Sequence, residues 1–553
     1  MWRDQNIGGV RSSNEDAKGR RRALSDTRIY DVIQIGYGPV GQTNAALLGR
    51  YGHHVAVFER HAGLYALPRA GHIDHEIVRV FQSIGAADSI MEDVFRCATY
   101  GWRNQHGETL LDIDWSQEGI SGWASDYLMY QPHVESALNT AVCKHLSVEI
   151  NHGWEAVELE EREEMIAVTF AEGYLDDASV YRHTGQRRTV LGRFLIGVDG
   201  ANSFTRKNAG LSLEDLGFRE QWLVVDFRQH GPLSFAFDNG QICDPARPLC
   251  LFQLGKTHRR FEFMVLPGED PAEIANPENV WRLVANWVSP GDVDLIRSTV
   301  YTFRSANADN WRSGRIFIAG DAAHLMPPFL GQGMCSGVRD VANLSWKLDL
   351  VLRGLADDAL LDSYTLERKP HVGNIIQQAV ALGKVSCTID SEEARLRDEA
   401  FLTGSVPPPP PFPWIADGIV SNRNKRLAGR LGPQARISFE GRTGLADDVV
   451  GAGWQLIGKD GALASLGSES MRFLETLGAR ILDLDAPYGV EDIDNTYHKF
   501  LSSADTSAIL VRPDFYIFGA TSPNVSADDL VFELAAKLGI QSELSAPALW
   551  CHQ

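Results

Sequence analysis

The stretch Tyr30–Glu59, YDVIQIGYGPVGQTNAALLGRYGHHVAVFE, decides the fold. Tyr30–Ile35 is a short apolar run broken at Asp31 and Gln34, as expected of a strand buried in a parallel sheet. Gly36, Gly38 and Gly41 follow, then Ala45–Leu48 in a helical pattern, then a second strand, His54–Phe58, closed by Glu59. Strand, glycine-rich turn, helix and strand make one unit of a doubly wound α/β domain. In that setting the three glycines read as a dinucleotide-binding turn. Gly36 permits the tight turn, Gly38 lets a pyrophosphate approach the backbone, and Gly41 lets helix and strand pack closely. The helix N-terminus offers free N–H groups and positive potential to phosphates. Glu59 is placed to accept hydrogen bonds from the adenosine ribose. The turn alone does not separate FAD from NAD.

Two further segments repeat the pattern of strand, turn and helix. Gly314–His324 (GRIFIAGDAAH) delivers Gly320 and Asp321 from a buried strand, Ile316–Ala319. In a Rossmann-type FAD domain a carboxylate there can bond the ribityl chain. Pro327, Pro328, Gly331, Gln332 and Gly333 then form a loop leading into a helix that runs to Leu350. Backbone N–H groups at that helix start would face the pyrimidine edge of a flavin and stabilise its negative charge when reduced. His324 has a metal-binding or catalytic role as its rival reading. Leu195–Arg206 (LIGVDGANSFTR) carries Asp199 and Gly200, a weaker signal because Asp-Gly is a common turn.

The rest of the chain fits around this frame. Gln221–Arg228, Leu233–Phe237 and Arg260–Leu266 read as strands of a mainly antiparallel sheet, about residues 218–312, inserted in the α/β domain. Residues 1–29 are polar and Arg-rich and are expected to be a disordered extension, with order starting at Tyr30. A linker is expected over 396–439, around the five consecutive prolines Pro407–Pro411. Residues 440–553 read as a compact last unit with strands at Trp454–Ile457 and Arg480–Leu484 and a hairpin turned by Arg512-Pro513-Asp514.

Hydrophobic residues are 44% and charged residues 22% of the 553, which excludes whole-chain disorder. No run reaches the 18 or so apolar residues of a membrane helix. A net charge of −20 makes nucleic acid an improbable partner. The seven cysteines are scattered, with no C-x-x-C, against a disulfide framework or a thiolate zinc site and in favour of a reducing, cytoplasmic setting. No metal site is expected.

Together and in this order, the three nucleotide motifs resemble the aromatic-ring hydroxylases, the single-component flavoprotein monooxygenases related to p-hydroxybenzoate hydroxylase, over residues 30–395. Pro68-Arg69-Ala70-x-His72-x-Asp74, Tyr130-Gln131-Pro132 and Val511-Arg512-Pro513-Asp514 place the chain nearest the 3-(3-hydroxyphenyl)propionate hydroxylase and phenol hydroxylase group. The resemblance implies a C-terminal thioredoxin-like domain without redox cysteines, with a structural or dimerising role. It implies that Gly36, Gly38, Gly41, Glu59 and Arg60 hold the ADP half of FAD. Arg69, Gln131, Asp199 and Gly200 would also contact the cofactor. Asp321 would hold the ribityl chain, and Pro328, Gly331, Gln332, Gly333 and Met334 would line the flavin ring. NADH or NADPH would dock transiently as reductant, oxygen would add at flavin C4a, and one oxygen atom would pass to an electron-rich ring.

A phenol is activated when its hydroxyl loses a proton, so the resemblance makes Asp74 the candidate base, with His72 on the same face of the extended segment and Pro328 beside the ring. The competing reading makes Asp74 the cap of the helix that begins near Glu76. An arginine that binds a substrate carboxylate is expected among Arg228, Arg247, Arg259 and Arg260. The alternatives for the whole chain are a same-fold oxygenase of polyketide or heteroaromatic rings, acting by epoxidation or Baeyer–Villiger insertion, a non-catalytic FAD-fold carrier, and a two-domain NAD dehydrogenase. The last leaves the Gly320-Asp321 segment unexplained.

Overall fold

A computed structural model describes residues 24–176, 180–464, 466–486 and 489–540. Its central parallel sheet has the spatial order Ile316–Ile318, Tyr181–Gly197, Leu24–Ile35, Val55–Glu59, Val148–His152. Strand alternation sorts its two faces. Val32, Val55 and Val57 join a core with the helices Pro39–Arg50, Gln131–Val142 and Gly333–Leu352. Ile33, Ile35, Ala56 and Phe58 pack instead against the antiparallel strands Trp154–Glu161 and Ile166–Leu175, with Phe58 stacked on Phe170 at 3.6 Å. The domain is therefore α/β, but its second face is covered by a β-meander where a doubly wound sheet would carry helices. The first strand also begins at Leu24, before the expected Tyr30. Leu24 and Ser25 pair with Arg188 and Thr189, because the long strand Tyr181–Gly197 extends beyond the sheet and offers them a partner.

A second sheet has eight strands. Leu213–Gln229, His258–Met264 and Leu249–Leu254 form its antiparallel centre, with Val293–Ala308 beside them. It is not confined to residues 218–312. Thr99–Asn104 and Thr109–Asp114 complete its edge through a parallel pairing with Gly240–Cys243. That pairing needs glycine. A Cβ on Gly240 (φ +143) would stand 1.8 Å from the carbonyl oxygen of Gly101. Leu233–Phe237, read as a strand, is irregular; its Leu233, Phe235 and Phe237 still pack on the core, so the apolar signal reported burial and not extension.

The last unit has a four-stranded sheet in the order Arg480–Asp483, Gln455–Gly458, Ala508–Val511, Ile517–Ala520, the first pair parallel and the other two antiparallel. The helices Ser468–Thr476 and Ala527–Lys537 cover one face, and Thr496–Ser503 the other. Cys551 lies outside the described residues, and those past residue 440 contain no cysteine. The unit is docked through buried charge. Arg512 donates to Glu367 at 2.7 Å and to Asp514 at 2.6 Å, and Arg79 donates to Asp447 at 2.7 Å, all three of these acids and both arginines being buried. Trp346 meets Trp454 edge-on at 5.3 Å. The proline segment is not detached either. Phe412 lies against the Arg339 guanidinium at 5.1 Å and near His371 at 5.9 Å.

Candidate active site

The glycine turn has the geometry a dinucleotide requires. Gly36 has φ +105, and a Cβ there would sit 2.3 Å from the Val198 carbonyl oxygen. A Cβ on Gly41 would sit 2.6 Å from the Gly36 carbonyl oxygen, whereas one on Gly38 would meet no protein atom within 4 Å. The turn is tight at its two ends and open at its middle, beside the start of the Pro39–Arg50 helix. Gln34 holds it in shape. Its amide donates to the carbonyls of Gly36 (2.8 Å) and Gly41 (2.9 Å), and its oxygen accepts from Asn44 at 2.8 Å. Glu59 overhangs the turn, accepting from the Tyr37 and His61 N–H groups, each at 2.9 Å. Arg60 and Arg69 are exposed on this side, with Arg69 against the Tyr65 ring.

The second turn converges on the same cleft. Gly320 takes φ +59, and its N–H donates to Asp340 at 3.1 Å. Asp340 also accepts from His324 at 2.7 Å and Arg368 at 3.0 Å. His324 is thus a buried structural partner, and Asp340, which the sequence reading passed over, is the hub. Asp321 makes no hydrogen bond to another described residue. Its protein surroundings push its carboxyl above the ordinary range, opposed by His324 and Arg69. A solvent-reached carboxylate without a protein partner, together with the opening at Gly38, fits a bound FAD with its ribityl chain at Asp321 and its pyrophosphate at the first turn.

Asp199, Gly200 and Gln131 are held by contacts within the protein. Asp199 accepts from Ser203 (2.5 Å) and from the N–H and hydroxyl of Thr205, so its carboxylate braces the start of the helix Phe204–Asn208, whose N-cap is Ser203. Gly200 (φ +76) makes the turn, and Arg206 ties this segment to the second one by donating to the Ala322 carbonyl at 2.8 Å. The Gln131 side-chain oxygen accepts from the N–H groups of Arg69 (2.9 Å) and Ala70 (2.7 Å), holding that loop in place.

Gln131 also donates to Glu135 at 2.6 Å. Burial, with Glu59 nearby, lifts the Glu135 carboxyl to about 7 against the opposing pull of Gln131 and Arg69. The folded state then holds this proton where the unfolded chain has lost it, so stability falls as pH rises from about 4.5 to about 7. Glu135→Gln should flatten that part of a melting-temperature profile, a span of up to about 3 kcal/mol.

The loop expected to face the flavin is the short 3-10 turn Pro328–Leu330, then Gly331 at φ +66, then the helix Gly333–Leu352. The Pro328 carbonyl accepts from Gly331 at 2.7 Å and closes the turn. Met334 and Gly333 lie half-buried at the helix start. Gln332 turns its side chain away from this surface, donating to Asp74 at 3.0 Å and accepting from Arg339 at 2.7 Å.

Asp74 is bonded on both oxygens. One accepts from the N–H groups of Glu76 (3.1 Å) and Ile77 (3.2 Å), capping the His75–Ser83 helix, and the other accepts from Gln332 and Arg339. Burial would raise this carboxyl, but Arg339 and the neighbouring imidazoles hold it well below the usual range. That geometry favours the cap over the base. Asp74→Asn should keep FAD and leave the product-to-peroxide ratio nearly unchanged while losing about 1–3 kcal/mol of stability. Thermal melts and coupling ratios from one preparation test this; a tenfold loss of coupling at unchanged stability would restore Asp74 as base.

His72 donates to Asp126 at 2.8 Å and approaches the Gly331 carbonyl at 3.2 Å. Burial opposes its charge, but Asp126 outweighs it and raises the imidazole well above its ordinary value. His72 therefore ties the Pro328–Gly331 loop to Asp126. Trp115 lies 5.3 Å from His72 and stacks on Tyr100 at 4.9 Å, leading to the second sheet as a roof. The four candidate arginines are all engaged there. Arg228 is at the rim with Asp294, Arg247 holds Glu269, Arg259 pairs with Asp238 and Gln253, and Arg260 grips Asp226 and the carbonyls of Pro68 and Arg69.

Two nucleotide turns on one cleft, a helix start facing it and an antiparallel roof define the flavin-dependent oxygenase class. The chain belongs to the FAD binding domain family, whose model matches residues 29–379, and residues 429–537 match the HcaD C-terminal domain. It is 36% identical to a probable NADH-specific resorcinol 4-hydroxylase of Rhodococcus jostii, over 94% of this chain and 97% of that one. It is 30% identical to a 3-(3-hydroxy-phenyl)propionate/3-hydroxycinnamic acid hydroxylase of Paraburkholderia xenovorans, over 96% and 94%. Among solved structures, aklavinone-11 hydroxylase with FAD and aklavinone superimposes with a TM-score of 0.75 at 21% identity, covering 93% of this chain and all 100% of that one. The chain is an FAD-dependent aromatic monooxygenase, which sets aside the carrier and dehydrogenase readings.

Proposed function

We propose that this enzyme hydroxylates a phenol without a carboxylate, a dihydroxybenzene of the resorcinol type, with NADH as reductant. The observation that carries the reading is the roof. Each of the four arginines considered for a substrate carboxylate already has its own protein partner. The likeness to the NADH-specific resorcinol 4-hydroxylase supports the same choice. Gly36, Gly38, Gly41 and Glu59 would hold the ADP half of FAD, Asp321 the ribityl chain, and the N–H groups of Gly333 and Met334 the pyrimidine edge. Bound FAD would supply the reducing equivalents and the activation of O2. The chain's own part is to orient the ring under the roof, to keep bulk water out with Trp115, Phe252 and Phe329, and to fix the loop through His72 and Asp74.

The C-terminal unit we read as a thioredoxin-like domain, on its βαβ–ββα order and helices on both sheet faces, serving to brace the oxygenase body rather than to carry electrons. The scattered thiols are in keeping with a cytoplasmic setting. The test is a panel of resorcinol, phenol and 3-(3-hydroxyphenyl)propionate scored by NADH and NADPH consumption, with product and hydrogen peroxide measured together. Coupled turnover of resorcinol with NADH is expected. Coupled turnover of the propionate alone would overturn the reading.

A further inference from the structure

Most of the charge buried under the roof is explained by pairing. Asp226 is fully buried and accepts from Arg260 at 2.7 Å and from Arg297 at 2.6 Å. Arg297 also donates to the Tyr301 hydroxyl at 2.9 Å. Arg260 also donates to the Pro68 and Arg69 carbonyls, which leaves one Nη1 N–H. Glu262 is different. It sits on the central strand His258–Met264, two residues from Arg260 and so on the same face, and it is only 6% exposed. Its one ion-pair partner among the described residues is Arg260, whose Nη1 stands at a long 3.5 Å and has its other N–H on a carbonyl at 2.6 Å. A carboxylate so buried is expected to have better partners than this.

The surroundings of Glu262 point toward the reaction cleft. Across the sheet it faces Cys250 in register, and Cys250 Sγ is 3.4 Å from the Tyr100 hydroxyl, which accepts from Gln241 at 3.1 Å. The Tyr100 ring stacks on Trp115, which borders His72 and, through it, the Gly331 carbonyl. On the other side, Trp222 packs against Phe329 of the flavin-facing loop at 5.8 Å. By strand alternation Glu262 thus shares a sheet face with Cys250, Phe252 and Trp222, the face that packs on Phe329 of that loop.

We infer that Glu262 accepts the hydrogen bond of a substrate hydroxyl and selects a neutral dihydroxybenzene against aryl carboxylates. The inference rests on the substrate class proposed above and names the residue that enforces it. A hydroxyl donates to a carboxylate in a short, charge-assisted bond, while a carboxylate ligand brought to the same place meets like charge. One side chain therefore both favours the one ligand and disfavours the other.

The experiment titrates FAD-loaded wild type, Glu262→Gln and Glu262→Leu with resorcinol and with 3-(3-hydroxyphenyl)propionate, following the flavin absorbance change. FAD content and melting temperature are checked on each sample. Glu262→Leu should bind resorcinol about 10- to 100-fold more weakly. Both variants should bind the propionate more tightly than wild type does, by about tenfold, a gain that loss of folding cannot imitate. If Glu262→Leu fails to retain FAD, the isosteric Gln variant decides through the propionate arm. Unchanged affinities for both ligands, with resorcinol still hydroxylated, would reduce Glu262 to a partner of Arg260 and overturn the inference alone. Wild type that hydroxylates the propionate and ignores resorcinol would overturn the substrate class and the inference together.

Discussion

Gly38→Val should give a folded protein that has lost FAD, while Gly36→Ala should fail to fold to the same state. The two glycines are two residues apart and differ in what surrounds them. At Gly36 the backbone is in the left-handed region, and a Cβ would lie 2.3 Å from a carbonyl oxygen that cannot move without shifting the Asp199 turn. Strain and overlap together are expected to cost several kcal/mol, on the order of 3 or more. At Gly38 φ is −73, open to any residue, and a Cβ meets nothing. A branched side chain there would occupy the space next to the helix N-terminus, where the pyrophosphate is expected. Chemical denaturation of apoprotein and fluorimetric titration with FAD separate the outcomes. Gly38→Val should match wild-type apoprotein within about 0.5 kcal/mol and bind FAD at least about 100-fold more weakly. FAD affinity within a factor of three of wild type would show that the turn does not hold the cofactor.

Arg512→Ala is the second large effect. Arg512 is fully buried between Glu367, Asp514 and the Ile419 carbonyl, with Lys347 on the far side of Glu367 at 2.9 Å. Burial would raise the Glu367 carboxyl, but Arg512 and Lys347 outweigh it and hold it at about 2. Removing the guanidinium strands two buried carboxylates with one lysine, at about 3–5 kcal/mol. The sign with pH follows. A depressed carboxyl contributes stability that is present above about pH 4.5 and is lost as pH falls toward about 2. The wild type should therefore lose stability through that window, and Arg512→Ala should lose less there. Urea melts from pH 7 to pH 3 provide the measurement. A variant within about 1 kcal/mol of wild type would show that the pair is not what docks the last unit.

Much of this was legible in the chain itself, and the limits have physical causes. Local spacing carried the two nucleotide turns, because each is built within one continuous unit, Gly36 to Glu59 in the first and Gly320 to Gly333 in the second. The strands of the last unit were legible for the same reason. Partnership across long loops was not. That Asp74 is bonded to Arg339, 265 residues later, is invisible to spacing, so base and cap stood level until the geometry was in view. Asp126, Asp340 and Arg339 were missed because each is one charged residue in an ordinary element. One signal was available and unused: Gln34 is a polar residue near the end of a strand buried on both faces, and such a residue needs a buried partner. The same rule applied to the strand HRRFEFM would have singled out Arg260 and Glu262, two charges at alternate positions of a central strand.

Gln34 has a consequence for how the cofactor comes and goes. Its three bonds are internal to the protein, so the turn keeps its shape without a ligand. FAD bound at this turn would then meet a finished socket, with the entropy of ordering the loop spent during folding, not at each encounter. Such a protein should survive stripping and reloading. Apoprotein prepared under mild conditions should take up FAD, or an analogue altered only in the ring, in a single fast phase, which makes this enzyme a practical host for exchanged flavins.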